Sequence, residues 1–332
     1  MDFPRLQVLI LSSLLLIAIP LFLDLHQPVP IVMITTTSLC FLWQLWWIVP
    51  YTPLWRKEVK SCNEDHPDRK ISIITSNVLT PNRNAKALIA LVNRHQPDIL
   101  ITLESDAWWE EQLAVLESGM PYTVKCPLDN LYGMHLYSKL RIREHEISFL
   151  VEKDVPSIHV SLEMKTGELI RAHFVHPAPP SPTENTESAE RDAELIIVGQ
   201  SVANSDLPVI VAGDLNDVAW SSTTRLFRKI SGLLDPRIGR GMFNTFHVKY
   251  FFLRWPLDHL FHSKHFTVCD IDRLPSIGSD HFPLLTSLAL NPMISSYQEG
   301  LESDASDRER AKEIAEEKKV SKEDVPKPDE KN

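Results

Sequence analysis

The sequence predicts an α/β domain behind a transmembrane helical hairpin. Two long uncharged runs open the chain. Its middle alternates short apolar runs with stretches of helical spacing. The polar residues of that middle gather where the apolar runs end. A length of 332 residues suits one large domain with attachments. With 34 Lys and Arg against 44 Asp and Glu, the net charge is −10. That excludes a protein that coats nucleic acid by bulk charge, but not an enzyme that handles phosphates through a metal. The 43% hydrophobic and 23% charged fractions exclude a collagen-like, mucin-like or wholly disordered chain. Four cysteines exclude a disulfide scaffold.

The anchor comes first, over residues 1–55. LQVLILSSLLLIAIPLFL lies uncharged between Arg5 and Asp24, and a second uncharged run reaches from behind His26 to Arg56. About 20 residues at a rise of about 1.5 Å cross the hydrocarbon, so each run is long enough to span. Trp43, Trp46, Trp47 and Tyr51 crowd the end of the second run, as an interfacial belt would. A cleaved signal peptide fits less well, because the positive start is weak and no small-residue cleavage site follows cleanly. Arg5 before the hairpin and Arg56, Lys57 and Lys60 after it place the large domain on the cytoplasmic side by the positive-inside rule. The expected location is therefore the cell membrane, with two passes.

The working domain spans 66–292. ISIIT (71–75) is a buried strand, 84–94 has Ala87, Leu88, Leu91 and Val92 at helical spacing, and DILITL (98–103) is a second strand. A helix over 108–117 follows. Segments 134–137, 147–151, 158–162 and 169–173 have period-2 character and read as antiparallel strands. PAPPSPTEN (177–185) is a loop. Then come a helix over 188–202, the strand 207–212, a helix over 222–230, and strands over 259–261, 266–270 and 282–288. Many strands with a few helices fit two packed sheets with helices outside, an arrangement that periodicity alone does not fix.

Strand ends hold the chemistry. Asn77 closes TSN, Glu104 closes PDILITLE, His176 closes HFVH, Asp214 and Asn216 lie in GDLN, Asp258 in WPLDHLF, and Asp280 and His281 in GSDHFP. Oxygen ligands such as Glu104 and Asp280 suit Mg²⁺ or Mn²⁺, which activates water and neutralises a phosphoryl transition state. A neighbouring His serves as acid or base, and a carboxylate on its other nitrogen fixes its tautomer. Singly, each such residue is more commonly a turn, cap or solvated residue. Together they share one chemistry.

These motifs resemble the endonuclease/exonuclease/phosphatase superfamily, the metal-dependent phosphoesterases that include DNase I-like nucleases. The resemblance covers about residues 70–290 and rests on TSN, PDILITLE, HFVHPAP, GDLN, LDHLF and GSDHFPL. It implies a four-layered α/β/β/α sandwich. It also implies Glu104, Asp280 and Asn77 at the metal and His176 at the phosphate. Asp214 and Asn216 would orient water, with Asp258 behind a catalytic His281. Glu104 departs from the pattern by lying in LES rather than a QE motif, and His259 stands where several branches have Tyr or Arg. The anchor looks like that of bacterial members with N-terminal membrane helices.

The resemblance implies a Mg²⁺-dependent hydrolase of phosphate esters, acting as a phosphodiesterase or nuclease by in-line water attack. Two alternatives remain open: an enzyme for lipid headgroups or small phosphate esters, and an inactive membrane-bound adaptor. Arg225, Arg228, Lys229, Arg237, Arg240, Lys249 and Arg254, the later ones interleaved with Phe243, Phe246, Tyr250, Phe251, Phe252 and Trp255, would suit DNA or phospholipid. The plainer reading is a loop packed on a sheet edge. No protein partner is implied. Residues 293–332 are rich in charge and poor in apolar residues, so a disordered tail is expected, with a transient helix over 308–319. Cys40, Cys62, Cys126 and Cys269 show no metal-ligand spacing and are expected as free thiols. His259, His262 and His265 read as an ordinary strand and turn.

Overall fold

A computed structural model describes residues 2–62, 67–179 and 188–328. The loop expected over 177–185 therefore lies partly outside the described residues. Helices α1 (Arg5–Phe22) and α2 (Pro28–Ile48) pack as a hairpin, and both are long and apolar enough to cross a membrane. Leu14, Ile17, Leu21, Val32, Leu39 and Trp43 stay exposed along them. A helix that is apolar all round wants a non-aqueous partner. Thr35 and Thr36 turn their hydroxyls back onto carbonyls of their own helix, which satisfies them without water.

The domain behind the hairpin has two mixed sheets. The first has the order β10 (Phe266–Arg273), β11 (Leu284–Leu290), β1 (Lys70–Asn77), β2 (Ile99–Leu103), β4 (Met134–Ser138), β3 (Tyr122–Cys126). The second runs β5 (Arg141–Ser148), β6 (Ser157–Glu163), β7 (Leu169–Phe174), β8 (Val209–Asp214), β9 (Asp258–His262). Ile71, Ile73, Ile99 and Ile101 of one sheet meet Ile158, Val160, Ile170, Ala172, Phe174 and Ile210 of the other. Period-2 alternation puts those residues on the inner faces. Helices α3 (Ala85–His95) and α4 (Ala107–Leu113) cover the first sheet through Leu88, Leu91 and Trp109. Helices α5 (Ala189–Val202) and α6 (Ser222–Ser231) cover the second through Leu195, Val198 and Phe227. This is the α/β/β/α sandwich that the resemblance implies.

The differences from the sequence reading have physical causes. Strand β5 was expected over 147–151 but covers 141–148, because this edge strand is polar and largely exposed and so shows no apolar run. Strand β3, another edge, was not expected at all. The charged tail is not a disordered run throughout: α7 (Ala305–Glu317) packs on α5 and α6. Composition hides this, because the buried face is only Ala311 and Ala315, with Val325 beyond it. Its ends are tied by ion pairs, Lys229–Asp307 at 2.6 Å and Lys318–Glu190 at 2.5 Å. Asp304 and Asp307 form its capping box. Cys62 and Cys269 are not free thiols but a disulfide across 207 residues of sequence. They meet because residue 61 pairs with Val268 at the edge of β10, a contact that no local spacing announces.

Candidate active site

Topology gathers the strand-end residues at one rim. β1 and β2 run parallel, and β11 runs antiparallel to β1, so the ends of the first two strands adjoin the start of the last. β7 and β8 run parallel, and β9 starts where β8 ends, with Asp214 directly opposite Asp258. Asn77, Glu104, His176, Asp214, Asp258 and His281 therefore come from the same edge of both sheets.

Local backbone geometry places them. Gly213 has φ +151°, and a Cβ there would lie 1.8 Å from the Val175 carbonyl, so only glycine lets β8 approach the segment that bears His176. Glu104 and Asn216 adopt left-handed conformations, φ 57° and 50°, which turn the chain sharply out of β2 and β8. Strain of this kind persists where the surroundings hold it and clusters at functional sites.

His281 is the hub. Its Nδ1 lies 2.7 Å from Asp258 Oδ2 and its Nε2 lies 3.4 Å from Asp214 Oδ2. Burial works against its charge. Asp214 and Asp258 outweigh that, and they raise the imidazole to about 10. The two carboxylates therefore favour the imidazolium form, in which both ring nitrogens donate. Burial alone would raise Asp214, but His281 and His176 hold its carboxyl below the usual range, helped by N–H groups of Asn216 and Asn77. Asp258 is raised by burial, with His281 pulling the other way. His176 Nε2 stands 4.0 Å from Asp214 Oδ2, with the Tyr132 ring 5.4 Å from its own.

Glu104 completes the cluster from the first sheet. Its Oε1 accepts from Asn77 Nδ2 at 2.7 Å, and that amide also donates to Asp214 at 3.2 Å. Glu104 Oε2 is buried with no hydrogen-bond partner among the described residues. Burial pushes this carboxyl up to about 7, against the pull of Asn77 and His281. A buried carboxylate oxygen without a partner needs a counter-charge, and a hard divalent cation supplies one. The donor set therefore fits Mg²⁺ or Mn²⁺. Asp214, Asp258 and His281 also bring ligand atoms within 4.8 Å of one another. Those atoms already face each other, so the unpartnered Glu104 oxygen is the better mark of a cation.

The geometry gives the partners of the remaining expected residues. The Asn77 side-chain oxygen accepts from the Leu79 N–H, and its amide bridges the Glu104 and Asp214 carboxylates. Asn216 donates its amide to the Pro177 carbonyl at 3.0 Å, which ties the GDLN turn to the His176 segment. Asp280 sits half-buried beside the cluster and accepts from Ser279 Oγ at 3.2 Å. Tyr132 and Thr245 were not foreseen. Thr245 lies on the loop beside His281, its hydroxyl 3.3 Å from the Asp258 backbone nitrogen, and nothing in the spacing of either residue distinguishes it. A cavity of about 600 Å³ between the end of α2, α6 and residues 296–301 is lined by none of these residues.

The Endonuclease/Exonuclease/phosphatase family matches residues 74–281, well over half of the chain. The chain belongs to this family. Its members are usually metal-dependent phosphoester hydrolases, which agrees with the Glu104 oxygen that has no partner among the described residues. Solved structures share the fold. A D. rerio TDP2 complexed with single-strand DNA product is 16% identical, with a TM-score of 0.55, over 66% of this chain and 98% of that one. The human Nocturnin catalytic domain with bound sulfate is 18% identical at 0.55, over 67% and 94%. An endonuclease/exonuclease/phosphatase protein from Beutenbergia cavernae is 16% identical at 0.55, over 67% and 72%. No curated protein matches the chain.

Proposed function

We propose that the protein is a membrane-anchored phosphodiesterase that hydrolyses its ester by in-line attack of water. The observation that supports this best is the Asp214–His281–Asp258 line meeting Glu104, whose buried Oε2 has no hydrogen-bond partner among the described residues, at one sheet rim. Glu104 and Asp280 would hold Mg²⁺ or Mn²⁺, which when bound neutralises charge on a phosphoryl oxygen. Asp214, kept ionised by its neighbours, orients the water and takes its proton as the oxygen attacks phosphorus. The bond to the leaving alcohol breaks on the opposite side, and that alkoxide takes a proton from solvent. His281, held charged by Asp258, donates to a phosphoryl oxygen where negative charge builds, and His176 does the same from the other wall. Preorganised donors of this kind supply most of the rate in phosphoryl transfer. An inactive adaptor would leave all of these groups idle.

Helices α1 and α2 are read as the anchor. The charge rule points to the cytoplasmic side, and the Cys62–Cys269 disulfide points to an oxidising compartment. Arg5 is neutralised by Asp2 at 2.6 Å, so the charge rule rests on one short cluster. We therefore place the domain on the non-cytoplasmic face. To test the hydrolase, full-length protein in detergent is assayed on bis(4-nitrophenyl) phosphate with and without excess EDTA. Turnover should vanish with chelator and return with Mg²⁺ or Mn²⁺. Full activity in metal-free protein would remove Glu104 and Asp280 from the reaction.

A further inference from the structure

The loop between α6 and β9 is shared by the reaction site and the anchor. Its stem is bonded to the site. Val248 N–H donates to the Asp280 carbonyl at 2.8 Å, Phe282 N–H donates to Thr245 at 3.0 Å, and the Phe246 ring lies 4.9 Å from the His281 ring. The other side of the same stem is bonded to the start of the anchor. Phe246 stacks with Trp255, and Trp255 Nε1 donates to the Phe3 carbonyl at 2.6 Å, with the Phe3 ring edge-on to the indole. The rings of Phe246 and Trp255 thus form a continuous run of contacts from His281 to Phe3.

The tip of the loop is apolar and outward. Phe251 and Phe252 are 71% and 81% exposed, with Tyr250 and Leu253 also exposed. Gln7, in the first turn of α1, donates to the Phe252 carbonyl at 3.0 Å. The tip is therefore fixed level with the first turn of a membrane-length helix. At about 1.5 Å per residue, Gln7 lies only about 3 Å along that helix from its start. That is the headgroup boundary, where aromatic rings settle with one side apolar and the other wet. Lys249 and Arg254 flank the tip, and Arg254 lies over both Phe251 and Phe282, the residue after His281. Cations placed beside interfacial aromatics suit phosphate headgroups. A patch of this kind facing water alone would be an aggregation liability.

We infer that this loop seats in the lipid–water boundary, that the reaction site opens there, and that the substrate is a phosphoester carried by a membrane lipid. This rests on reading the cluster as hydrolytic and α1–α2 as the anchor, and it adds the substrate class. Single-stranded DNA stacking on the same rings is the competing outcome.

The test uses full-length protein in nanodiscs containing phosphatidylcholine, phosphatidylglycerol and phosphatidic acid, with Mg²⁺. Three substrates are compared: the disc lipids, soluble bis(4-nitrophenyl) phosphate and single-stranded DNA. Wild type stands beside the double variant Phe251→Ser/Phe252→Ser. Separately, Phe252→Cys in a Cys40→Ala/Cys126→Ala background has a fluorophore whose quenching by acyl-brominated lipid reports its depth. We expect quenching, and lipid turnover at least about tenfold lower in the double variant while soluble-ester turnover holds within about twofold. An unquenched probe, lipid turnover indifferent to the double substitution, or DNA as the faster substrate would overturn this inference and leave the hydrolase reading standing. Failure on all three substrates would overturn both.

Discussion

The reaction cluster and the loop that walls it are held together in opposite ways. The cluster draws its side chains from the ends of β1, β2, β7, β8, β9 and from the approach to β11. Nearly every one is buried and bonded to another. The loop is one continuous stretch whose tip is exposed and whose bonds go partly to backbone atoms of another region, at Phe3 and Asp280. Burial and mutual bonding fix a geometry for chemistry. Exposure beside an apolar helix fixes a position relative to a surface. The first property can be tested by changing one atom's charge, the second only by changing what the protein sits in.

The largest effect should come from the cluster. His281→Ala should lower kcat on the soluble ester by about 10²–10⁴, the usual worth of a placed proton donor, with KM little changed, because the interaction forms mainly in the transition state. Asp258→Asn should lower kcat less, since the amide keeps a hydrogen bond to Nδ1 and loses the charge that helps hold the imidazolium. Thermal melts of both variants keep folding separate from catalysis. A His281→Ala enzyme that turns over like wild type would take this residue out of the mechanism and leave the loop as the better-supported half of the comparison.

How much was legible follows the same division. Asp214, Asp258, Asp280 and His281 stood out because the chemistry restricts which residues can follow a strand in GDLN, LDHLF and GSDHFP. The layers followed from periodicity joined to that resemblance. The contacts of Trp255 with Phe3, of Cys62 with Cys269 and of Ala311 with α5 and α6 were not legible. Each joins residues far apart in sequence, of types that serve anywhere, and only tertiary packing decides their partners. The edge strands β3 and β5 were missed or shifted for a related reason: an exposed strand has no need of an apolar alternation.

The next effect concerns the anchor side. Cys62 lies between α2 and β1, so its bond to Cys269 ties the segment behind the anchor covalently to β10. Cys62→Ser with Cys269→Ser should lower unfolding free energy by about 2–4 kcal/mol, as loss of a long-loop disulfide does, while kcat of the folded fraction stays near wild type. Unreduced protein unfolded in guanidinium should offer two thiols to maleimide, Cys40 and Cys126, and four after reduction. Four reactive thiols before reduction in protein from its native membrane would remove the bond and return the domain to the cytoplasmic side.

The smallest effect asks whether burial of a carboxyl is by itself a sign of the site. Glu194, on the buried face of α5, is pushed up to about 8, chiefly by burial and then by the Glu152 charge; Glu104 is pushed up to about 7. Glu104 has Asn77 and the catalytic cluster beside it, whereas Glu194 lies away from the strand-end rim, and its Oε1 has no hydrogen-bond partner among the described residues. The folded protein keeps the Glu194 proton until about pH 8, and the unfolded chain releases it near its ordinary value of 4.5. Between those values the folded state binds more protons, so stability falls as pH rises from about 4.5 to about 8 and levels off above. Glu194→Gln keeps the shape and removes the titration. It should melt like wild type near pH 4.5 and higher than wild type near pH 8.5, by an amount worth about 1–3 kcal/mol, the range for a buried group left unsatisfied. Its kcat on the soluble ester should not move. Equal melts at both pH values would mean that Glu194 ionises freely in the fold. Burial would then have failed as a guide at a carboxyl outside the rim, and Glu104 would rest on its geometry alone.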